Sequence, residues 1–427
     1  MNAPWNNEDL RRAFDADFDA LVAFASRSKA RVGFAFLRAD GQVDLGRPLD
    51  ARISARMTHV FALAQMRGTE GASHLVSHGL AALSGPLRGA NGSWYAEVVP
   101  TSETSATPVP RAVLSQRAQS AMIGAAAAAL MAGHEKARPL LADLEEDQDR
   151  RWWDPATGSV REEIEAASGR RSPLRRLSTN LDTAQAYLVA WEATGSRVWF
   201  DRARAILRLV GEVAARCGFA LPDLYDEEWR PLVPSSDREP IELIRPGDTL
   251  PGLGFKAARL IGQTYAILAR MGEPPSPWML DTAEALYDRA HADGWTDRDI
   301  GGIVYTLGPD GLVAAPQRMH WVVCEAASAA RVLAELADRG VGHVLVEGGP
   351  SVTSAFIGAD LVDTLVVHEA PLMLGPGAGA TDSLTVGTLG GAVHWRLDGP
   401  VRVLGEDLEI TLRPAPRRPR PRNRQPH

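Results

Sequence analysis

The chain has 427 residues, of which 45% are hydrophobic and 23% charged, a composition typical of a soluble globular protein with a sizeable core. The formal net charge of -7 excludes a generally basic nucleic-acid-binding surface, and neither a signal peptide pattern nor an apolar run of ~18 residues points to export or a membrane. The two cysteines, Cys217 and Cys324, lie far apart, which argues against a disulfide framework or a cysteine zinc site and predicts a cytoplasmic location.

Residues 1 to about 330 have the pattern of successive amphipathic helices. From Trp199 to Cys217, apolar residues recur at steps of three and four with arginines between them, and Gly218 follows as a helix stop. The same spacing predicts helices over 54–66, 181–193, 255–271, 280–292 and 319–336. Apolar stretches closed by a glycine predict short hairpins at 34–41 and 304–311. Many similar helices without alternating strands predict an all-α toroid.

The pattern changes to alternating strands and helices after about residue 336. Short apolar runs predict strands at 341–346 and 365–371, a helical stretch at 351–356, and a closing antiparallel pair at 401–404 and 408–412. The last fifteen residues are basic and proline-rich with almost nothing to bury, so they are predicted to be disordered. We therefore predict three parts: residues 1–332, a small α/β segment at 333–412, and a tail at 413–427.

Several segments of the first part together resemble the N-acylglucosamine 2-epimerase superfamily, in its branch of mannose and related aldose–ketose isomerases. They are, in chain order, the helix 54–64, the Gly-Ser-Trp-Tyr turn at 92–95, the helix pair 186–203, the loops 224–232 and 245–249, the hairpin 302–306 and the helix start 318–326. The resemblance implies an (α/α) barrel of helical hairpins, incomplete here because the family's last helices are missing. It also implies a small-molecule sugar as partner and chemistry without a metal or redox cofactor. The sequence gives no indication of the oligomeric state.

The resemblance also implies candidate site residues. Enzymes of this family move a proton at C2 of a free sugar of mannose or N-acylhexosamine type, which needs a base and a group that holds the carbonyl oxygen. Arg56 stands where the family holds the sugar oxygens, and Asp182 stands where it places a catalytic histidine. We take these two as candidate catalytic residues. The candidate substrate-binding residues are Asn180, Trp321, Glu325 and His59.

Two family signatures are altered in this chain. Asp182 replaces a histidine, and an aspartate with a pKa near ~3.9 is a poor base toward a carbon acid unless burial raises its pKa. In the second signature, Leu253 replaces a histidine, while Lys256 and Ala257 replace a glutamate and a tryptophan. These changes argue against turnover. The sequence therefore leaves open a divergent sugar isomerase and a non-catalytic, sugar-binding or vestigial barrel.

The segment after residue 332 resembles a different family, the reductase domain of the bifunctional riboflavin-biosynthesis deaminase/reductase. The resemblance rests on residues 332–350, 361–365, 370–377 and 404–408. It implies part of a dihydrofolate-reductase-like fold, in which Glu347, Gly348 and Gly349 would approach the phosphates of NADPH at a helix start. Only about the last third of that domain is present, which argues against activity. An NADPH-dependent pyrimidine reductase is the third alternative.

Overall fold

The computed structural model describes residues 8–44, 46–233, 243–296, 302–337, 357, 362, 364–369, 393–404 and 407–415. The chain divides into two compact units. One comprises residues 19–296 and 303–344, and the other comprises residues 1–18, 297–302 and 345–427. The candidate residues for NADPH, Glu347, Gly348 and Gly349, lie outside the described residues, as do the predicted strand 341–346 and the predicted helical stretch 351–356.

Most of the larger unit is α-helical. The described helices are α1 (Glu8–Ala25), α2 (Ala51–Met66), α3 (Ala72–Ser84), α4 (Gln116–Met131), α5 (Ala137–Asp147), α6 (Leu177–Thr194), α7 (Arg197–Arg216), α8 (Pro251–Arg270), α9 (Trp278–Gly294) and α10 (His320–Ala337). All six helices predicted from apolar spacing are confirmed, with ends shifted by a few residues. None of the described helices is both long and apolar enough to cross a bilayer.

The helices of this unit form hairpins arranged in two layers. Helices α2, α4, α6, α8 and α10 pack side by side in that order and form an inner row. Helices α3, α5, α7 and α9 each pack against the inner helix that precedes them. Since an outer helix returns the chain after each inner one, the inner helices all run in the same direction. The row begins at α2 and, in the part of the chain that the structure describes, ends at α10. This arrangement confirms the helical barrel, and its incompleteness stays a prediction.

Side-chain composition explains which helices are inner and which are outer. Helix α4 carries an alanine-rich run, and 13 of its 16 residues are buried, because small side chains let neighbouring helices approach from both sides. Helix α7 instead has one apolar face, with Trp199 and Phe200 fully buried and Arg208 exposed on the opposite face. Gly195 ends α6 with a positive φ of 71°, a conformation that glycine adopts without steric cost.

Short strands connect the helices. They are β1 (Leu49–Asp50), β2 (Glu97–Pro100), β3 (Ala106–Pro108), β4 (Val113–Ser115), β5 (Trp153–Asp154), β6 (Ser159–Val160), β7 (Glu163–Glu165), β8 (Arg175–Arg176), β9 (Leu224–Tyr225), β10 (Trp295–Thr296), β11 (Gly302–Ile303), β12 (Thr306–Leu307) and β13 (Val313–Ala315). Both predicted hairpins are confirmed. Leu37 bridges Val43 in the first, and β12 pairs antiparallel with β13 in the second.

The smaller unit contains an antiparallel sheet of four strands, namely β14 (Leu365–Glu369), β15 (Trp395–Leu397), β16 (Arg402–Leu404) and β17 (Asp407–Pro414). The central strand β17 pairs with β14 on one side and with β15 and β16 in succession on the other. The predicted closing pair is therefore confirmed as β16 and β17, whereas β15 was not predicted.

Helix α10 ends at Ala337, within one residue of the predicted end at 336, and crosses residue 332 as the predicted helix does. One predicted boundary differs from the observed elements. Strand β17 extends to Pro414, two residues beyond the predicted boundary at 412, because Arg413 and Pro414 pair with Arg396 and Trp395 of β15. Residues 416–427 of the predicted tail lie outside the described residues.

Candidate active site

Each helix of the inner row contributes a charged side chain near its N-terminal end. Arg56, Asp182, Lys256 and Glu325 are each the sixth residue of α2, α6, α8 and α10, and Arg117 is the second residue of α4. Since the inner helices run in the same direction, equal positions place the first four side chains at one level, and Arg117 joins them because its Nε lies 3.8 Å from Asp182 Oδ2. We call these five residues the charged layer. The positive ends of the five helix dipoles face the same end of the row, which favours anionic or oxyanionic groups there.

Asp182 lies at the centre of the charged layer. Lys256 Nζ donates a hydrogen bond to Asp182 Oδ1, and Arg117 Nε lies 3.8 Å from Asp182 Oδ2. Burial acts to raise the pKa of Asp182, but the charges of Lys256, Arg117 and Arg56 outweigh it, so its pKa is lowered. The side chain of Asp182 keeps 20% of its surface exposed. Asp182 is therefore an ionised carboxylate that a small molecule can reach.

A second carboxylate approaches Lys256 from α10. Lys256 is buried, and its Nζ lies 4.0 Å from Glu325 Oε1. Arg259, one turn further along α8, holds Glu325 through two hydrogen bonds, from Nε to Oε2 at 2.6 Å and from Nη2 to Oε1 at 3.1 Å. Arg259 Nη2 also donates to Gln185 Oε1 at 3.0 Å. Paired charge-assisted hydrogen bonds of this kind fix both partners, so Lys256 lies between two oriented carboxylates.

Trp321 covers the start of α8. A Cβ atom at Gly252 would lie 2.4 Å from the ring of Trp321, so a side chain at position 252 would displace the indole. The ring of Tyr305 meets that of Trp321 edge-on, with their centroids 6.3 Å apart. Because Trp321 precedes Glu325 by one helical turn, the indole stands next to the charged layer, at its N-terminal side.

The remaining candidate residues lie outside the charged layer. Asn180 is 1% exposed, and its side chain accepts from Val160 N at 2.9 Å and donates to Arg176 O at 3.1 Å. Its amide thus holds the start of α6 against β6. His59 packs beside Gly124 of α4, and burial lowers its pKa, which favours the neutral imidazole. Leu253, which the family resemblance predicts to replace a histidine, is 2% exposed.

Sequence reasoning missed three members of this arrangement: Arg117, Arg259 and Gln185. One signal was available, since Asp182 with Gln185 and Lys256 with Arg259 repeat the same three-residue step on neighbouring helices. Residues three apart share a helix face, so the two pairs can meet at successive levels. Which faces meet depends on the packing of α6 against α8, and the apolar spacing of one helix does not define that.

A buried acid lies close to the start of α6. Glu162 Oε1 accepts a hydrogen bond from Thr179 Oγ1 at 2.9 Å, and its Oε2 has no hydrogen-bond partner in the described part of the chain. Burial raises the pKa of Glu162 to about 8, although the nearby Arg176 acts to lower it. Arg176 is itself paired with Asp223 through two hydrogen bonds at 2.8 and 2.7 Å. Glu162 is therefore protonated at neutral pH.

Comparison with known proteins identifies the family of the larger unit. The sequence profile of the N-acylglucosamine 2-epimerase family matches residues 33–343, nearly three quarters of the chain. The chain belongs to the N-acylglucosamine 2-epimerase family. A D-mannose isomerase from Thermobifida fusca is 34% identical over 382 residues, covering 88% of this chain and 91% of that protein. A crystal structure of D-mannose isomerase superimposes with a TM-score of 0.68 at 22% identity, covering 78% of this chain and 83% of that one. This likeness confirms the helical-barrel fold, and the homologues of the chain are sugar isomerases and epimerases.

The C-terminal segment matches a second family. The sequence profile of the RibD C-terminal domain matches residues 304–408. The riboflavin biosynthesis protein RibD of Mycobacterium tuberculosis (strain CDC 1551 / Oshkosh) is 36% identical over 81 residues, which is 19% of this chain and 23% of that protein. The predicted fusion is therefore confirmed: an N-acylglucosamine 2-epimerase family barrel is followed by a part of a RibD-like domain. The two matches overlap over residues 304–343, which include α10.

Proposed function

We propose that this protein is a sugar isomerase or 2-epimerase that transfers a proton at C2 of a free aldose of mannose or N-acylhexosamine type. The observation that carries the proposal is the hydrogen-bonded pair of Asp182 and Lys256 in the charged layer. The reaction needs a group that accepts the C2 proton and a group that protonates the carbonyl oxygen. The carboxylate of Asp182 suits the first role, and the ammonium of Lys256 suits the second.

The proposed steps begin with the open-chain sugar in the charged layer. Lys256 and Arg117 hold the carbonyl oxygen, and Arg56 binds a neighbouring hydroxyl. Asp182 removes the C2 proton while Lys256 gives a proton to O1, which yields a 1,2-enediol. For the C2 epimer, water on the opposite face of the sugar gives a proton to C2, O1 returns its proton to Lys256, and Asp182 releases the original C2 proton to solvent. For the ketose, Asp182 gives its proton to C1 while O2 gives its proton to Lys256, so both groups return to their starting states. Neither route consumes a cofactor, since the product is an isomer of the substrate.

The ion pair reconciles the lowered pKa of Asp182 with a role as base. Without sugar, Lys256 donates to Asp182 and stabilises the carboxylate. When the ammonium turns to the sugar oxygen, Asp182 loses its closest positive partner, and its basicity rises in a site from which the sugar excludes water. Glu325, fixed by Arg259, keeps the ammonium in place during this change.

The experiment is to follow deuterium uptake at C2 of mannose, glucose and N-acetylmannosamine in heavy water by NMR. Wild-type protein should exchange the C2 proton, and Asp182→Asn should lower the rate by about 100-fold or more, since one general acid–base group contributes ~10²–10⁴-fold. Lys256→Met should lower it similarly. Glu212→Gln, an exposed change on α7, is the matched control and should leave the rate unchanged. Absence of exchange above background with wild-type protein would refute the catalytic proposal.

A non-catalytic sugar-binding barrel is the second candidate. Leu253 favours it, because the resemblance predicts a histidine at this position and a buried leucine cannot transfer a proton. This candidate predicts that wild-type protein binds mannose in a calorimetric titration but exchanges no C2 proton. Binding together with exchange would exclude it.

A further inference from the structure

A buried network of polar side chains joins α4 to α6 next to two members of the charged layer. Gln116 precedes Arg117 on α4, and Thr183 follows Asp182 on α6. Gln116 Nε2 donates a hydrogen bond to Thr183 Oγ1 at 3.2 Å, and Thr183 Oγ1 lies 2.7 Å from Ser120 Oγ. All three polar side chains are buried. The network therefore crosses the same helix interface across which Arg117 faces Asp182.

Gln148 joins this network from outside the inner row. It begins a π-helical turn (Gln148–Trp152) that follows α5, and it is completely buried. The amides of Gln116 and Gln148 face each other, since each Nε2 donates to the other Oε1, at 3.0 and 3.2 Å. Tyr187 Oη of α6 also donates to Gln148 Oε1 at 2.7 Å. Gln148 thus binds both α4 and α6, from a kind of turn that is rare and often found at functional sites.

The apolar part of α4 does little to define the rotation of this helix. Ala125 to Ala129 are consecutive alanines, and all of them are completely buried. Their methyl groups present nearly the same surface after a small rotation or slide of the helix. Hydrogen bonds are directional, and a buried polar group left without its partner costs ~1–3 kcal/mol. The polar network is therefore the feature that distinguishes one rotation of α4 from another, as a buried asparagine does in a coiled coil.

We propose that Gln116 and Gln148 are positioning residues, whose paired amides hold Arg117 of α4 against Asp182 of α6. This inference rests on the proposed function, in which Arg117 holds the carbonyl oxygen and Asp182 removes the C2 proton. Arg117 Nε lies 3.8 Å from Asp182 Oδ2. Because Arg117 is adjacent to Gln116 in the chain, a rotation of α4 changes this distance directly. Loss of the amide pair should therefore weaken the contact between Arg117 and Asp182 while both side chains remain present.

The first test follows Arg117 in the full chain by arginine-selective proton–nitrogen NMR. The Nε–H signal of Arg117 is assigned by its absence in Arg117→Lys. In an otherwise wild-type protein, Asp182→Asn should shift this signal, because it removes the facing charge. Gln148→Met keeps a side chain of similar size but has no amide. In that background, Asp182→Asn should shift the Arg117 signal less than half as far.

The second test is a double-mutant cycle on the rate of C2 deuterium exchange at saturating mannose. Gln148→Met should lower this rate by about tenfold or more, since a misplacement of ~1 Å can cost up to ~100-fold. If Gln148 acts through Arg117, the double variant of Gln148→Met and Arg117→Met should be within about twofold of Arg117→Met alone. A general structural role would instead make the two effects multiply.

Two further variants complete the comparison. Thr183→Val keeps the shape of the side chain but removes the hydroxyl that accepts from Gln116, so it should weaken the Arg117 contact in the same way. It decides the question if Gln148→Met does not fold. The matched control is Gln65→Met, which removes an amide hydrogen bond to Ala132 O at the other end of α4. This contact lies ~24 Å along the helix from Gln116, at ~1.5 Å per residue, and its loss should leave both readouts unchanged.

A wild-type shift of the Arg117 signal in both Gln148→Met and Thr183→Val would overturn the inference. So would effects that multiply in the kinetic cycle, or an Arg117 signal that does not respond to Asp182→Asn in otherwise wild-type protein. The NMR readout needs no turnover. A wild-type protein without C2 exchange would therefore refute the proposed function, and the Arg117 signal would still decide whether the amide pair positions Arg117.

Discussion

Glu162 should make the stability of the protein fall as the pH rises through the neutral range. Its pKa in the folded protein is about 8, against 4.5 for an ordinary glutamate. Between these values the folded state keeps a proton that the unfolded state has released, so the free energy of unfolding decreases as pH rises. The stabilisation is complete below pH ~4.5 and lost above pH ~8. At about 1.36 kcal/mol per pKa unit, the total is about 5 kcal/mol.

Glu162→Gln tests this account. The amide keeps the size of the protonated acid, and its oxygen can accept the hydrogen bond of Thr179. Urea unfolding followed by circular dichroism between pH 5 and 9 should show a wild-type free energy that falls by up to ~1.4 kcal/mol per pH unit. The variant should lack this fall and be the more stable protein at pH 9. Glu212→Gln, exposed on α7, should follow the wild-type profile. Parallel profiles for wild type and Glu162→Gln would show that Glu162 is ionised in the folded protein.

Three further predictions concern the site and the C-terminal segment. Glu325→Gln leaves buried Arg259 without its carboxylate and should lower the free energy of unfolding in urea by about 3–5 kcal/mol. The exposed change Glu192→Gln on α6 should lower it by less than about 0.5 kcal/mol. Equal effects of the two changes would refute the pairing of Glu325 with Arg259. Gly252→Ala should displace the indole of Trp321 and red-shift its fluorescence, because the new Cβ would lie 2.4 Å from the ring; an unchanged emission spectrum would contradict the packing. Titration with NADPH to millimolar concentration should show no saturable fluorescence change, since only 23% of a RibD protein is matched, and saturable binding would revive the reductase alternative.

Periodicity was sufficient to predict the helices and their class of arrangement. The spacing of apolar residues in α7, and the arginines between them, follow directly from having one face on the core and one in water. The end of α10 was predicted to within one residue, at 336 against the observed Ala337, since the helical pattern continues across the junction between the two family matches. Strand β15 was not predicted, because Trp395–Leu397 has only three residues and is too short to show an alternation of apolar and polar side chains.

The charged layer was only partly predictable, because it is a property of packing between helices. Arg56, Asp182 and Glu325 were identified through the family resemblance, and the structure brings them to one end of the inner row. The partners that determine their chemistry, Lys256 and Arg259, lie on a helix about 70 residues away from both Asp182 and Glu325. An isolated aspartate is expected to be a weak base. The contact with Lys256, which the sequence does not reveal, explains how the proton affinity of Asp182 can change when a sugar binds.

The pH dependence of C2 deuterium exchange distinguishes Asp182 from a histidine as the base. The pKa of Asp182 is lowered below 3.8 by Lys256, Arg117 and Arg56, although burial acts in the opposite direction. A base with this pKa keeps its proton-accepting form throughout the mildly acidic range, and protonated Glu162 supports the fold there. At sugar concentrations far below saturation, where the rate depends on the pKa of the base in the free protein, the exchange rate of folded wild-type protein should stay constant from pH ~7 to ~5. A rate that falls through pH ~6.5, as a histidine base requires, would contradict it.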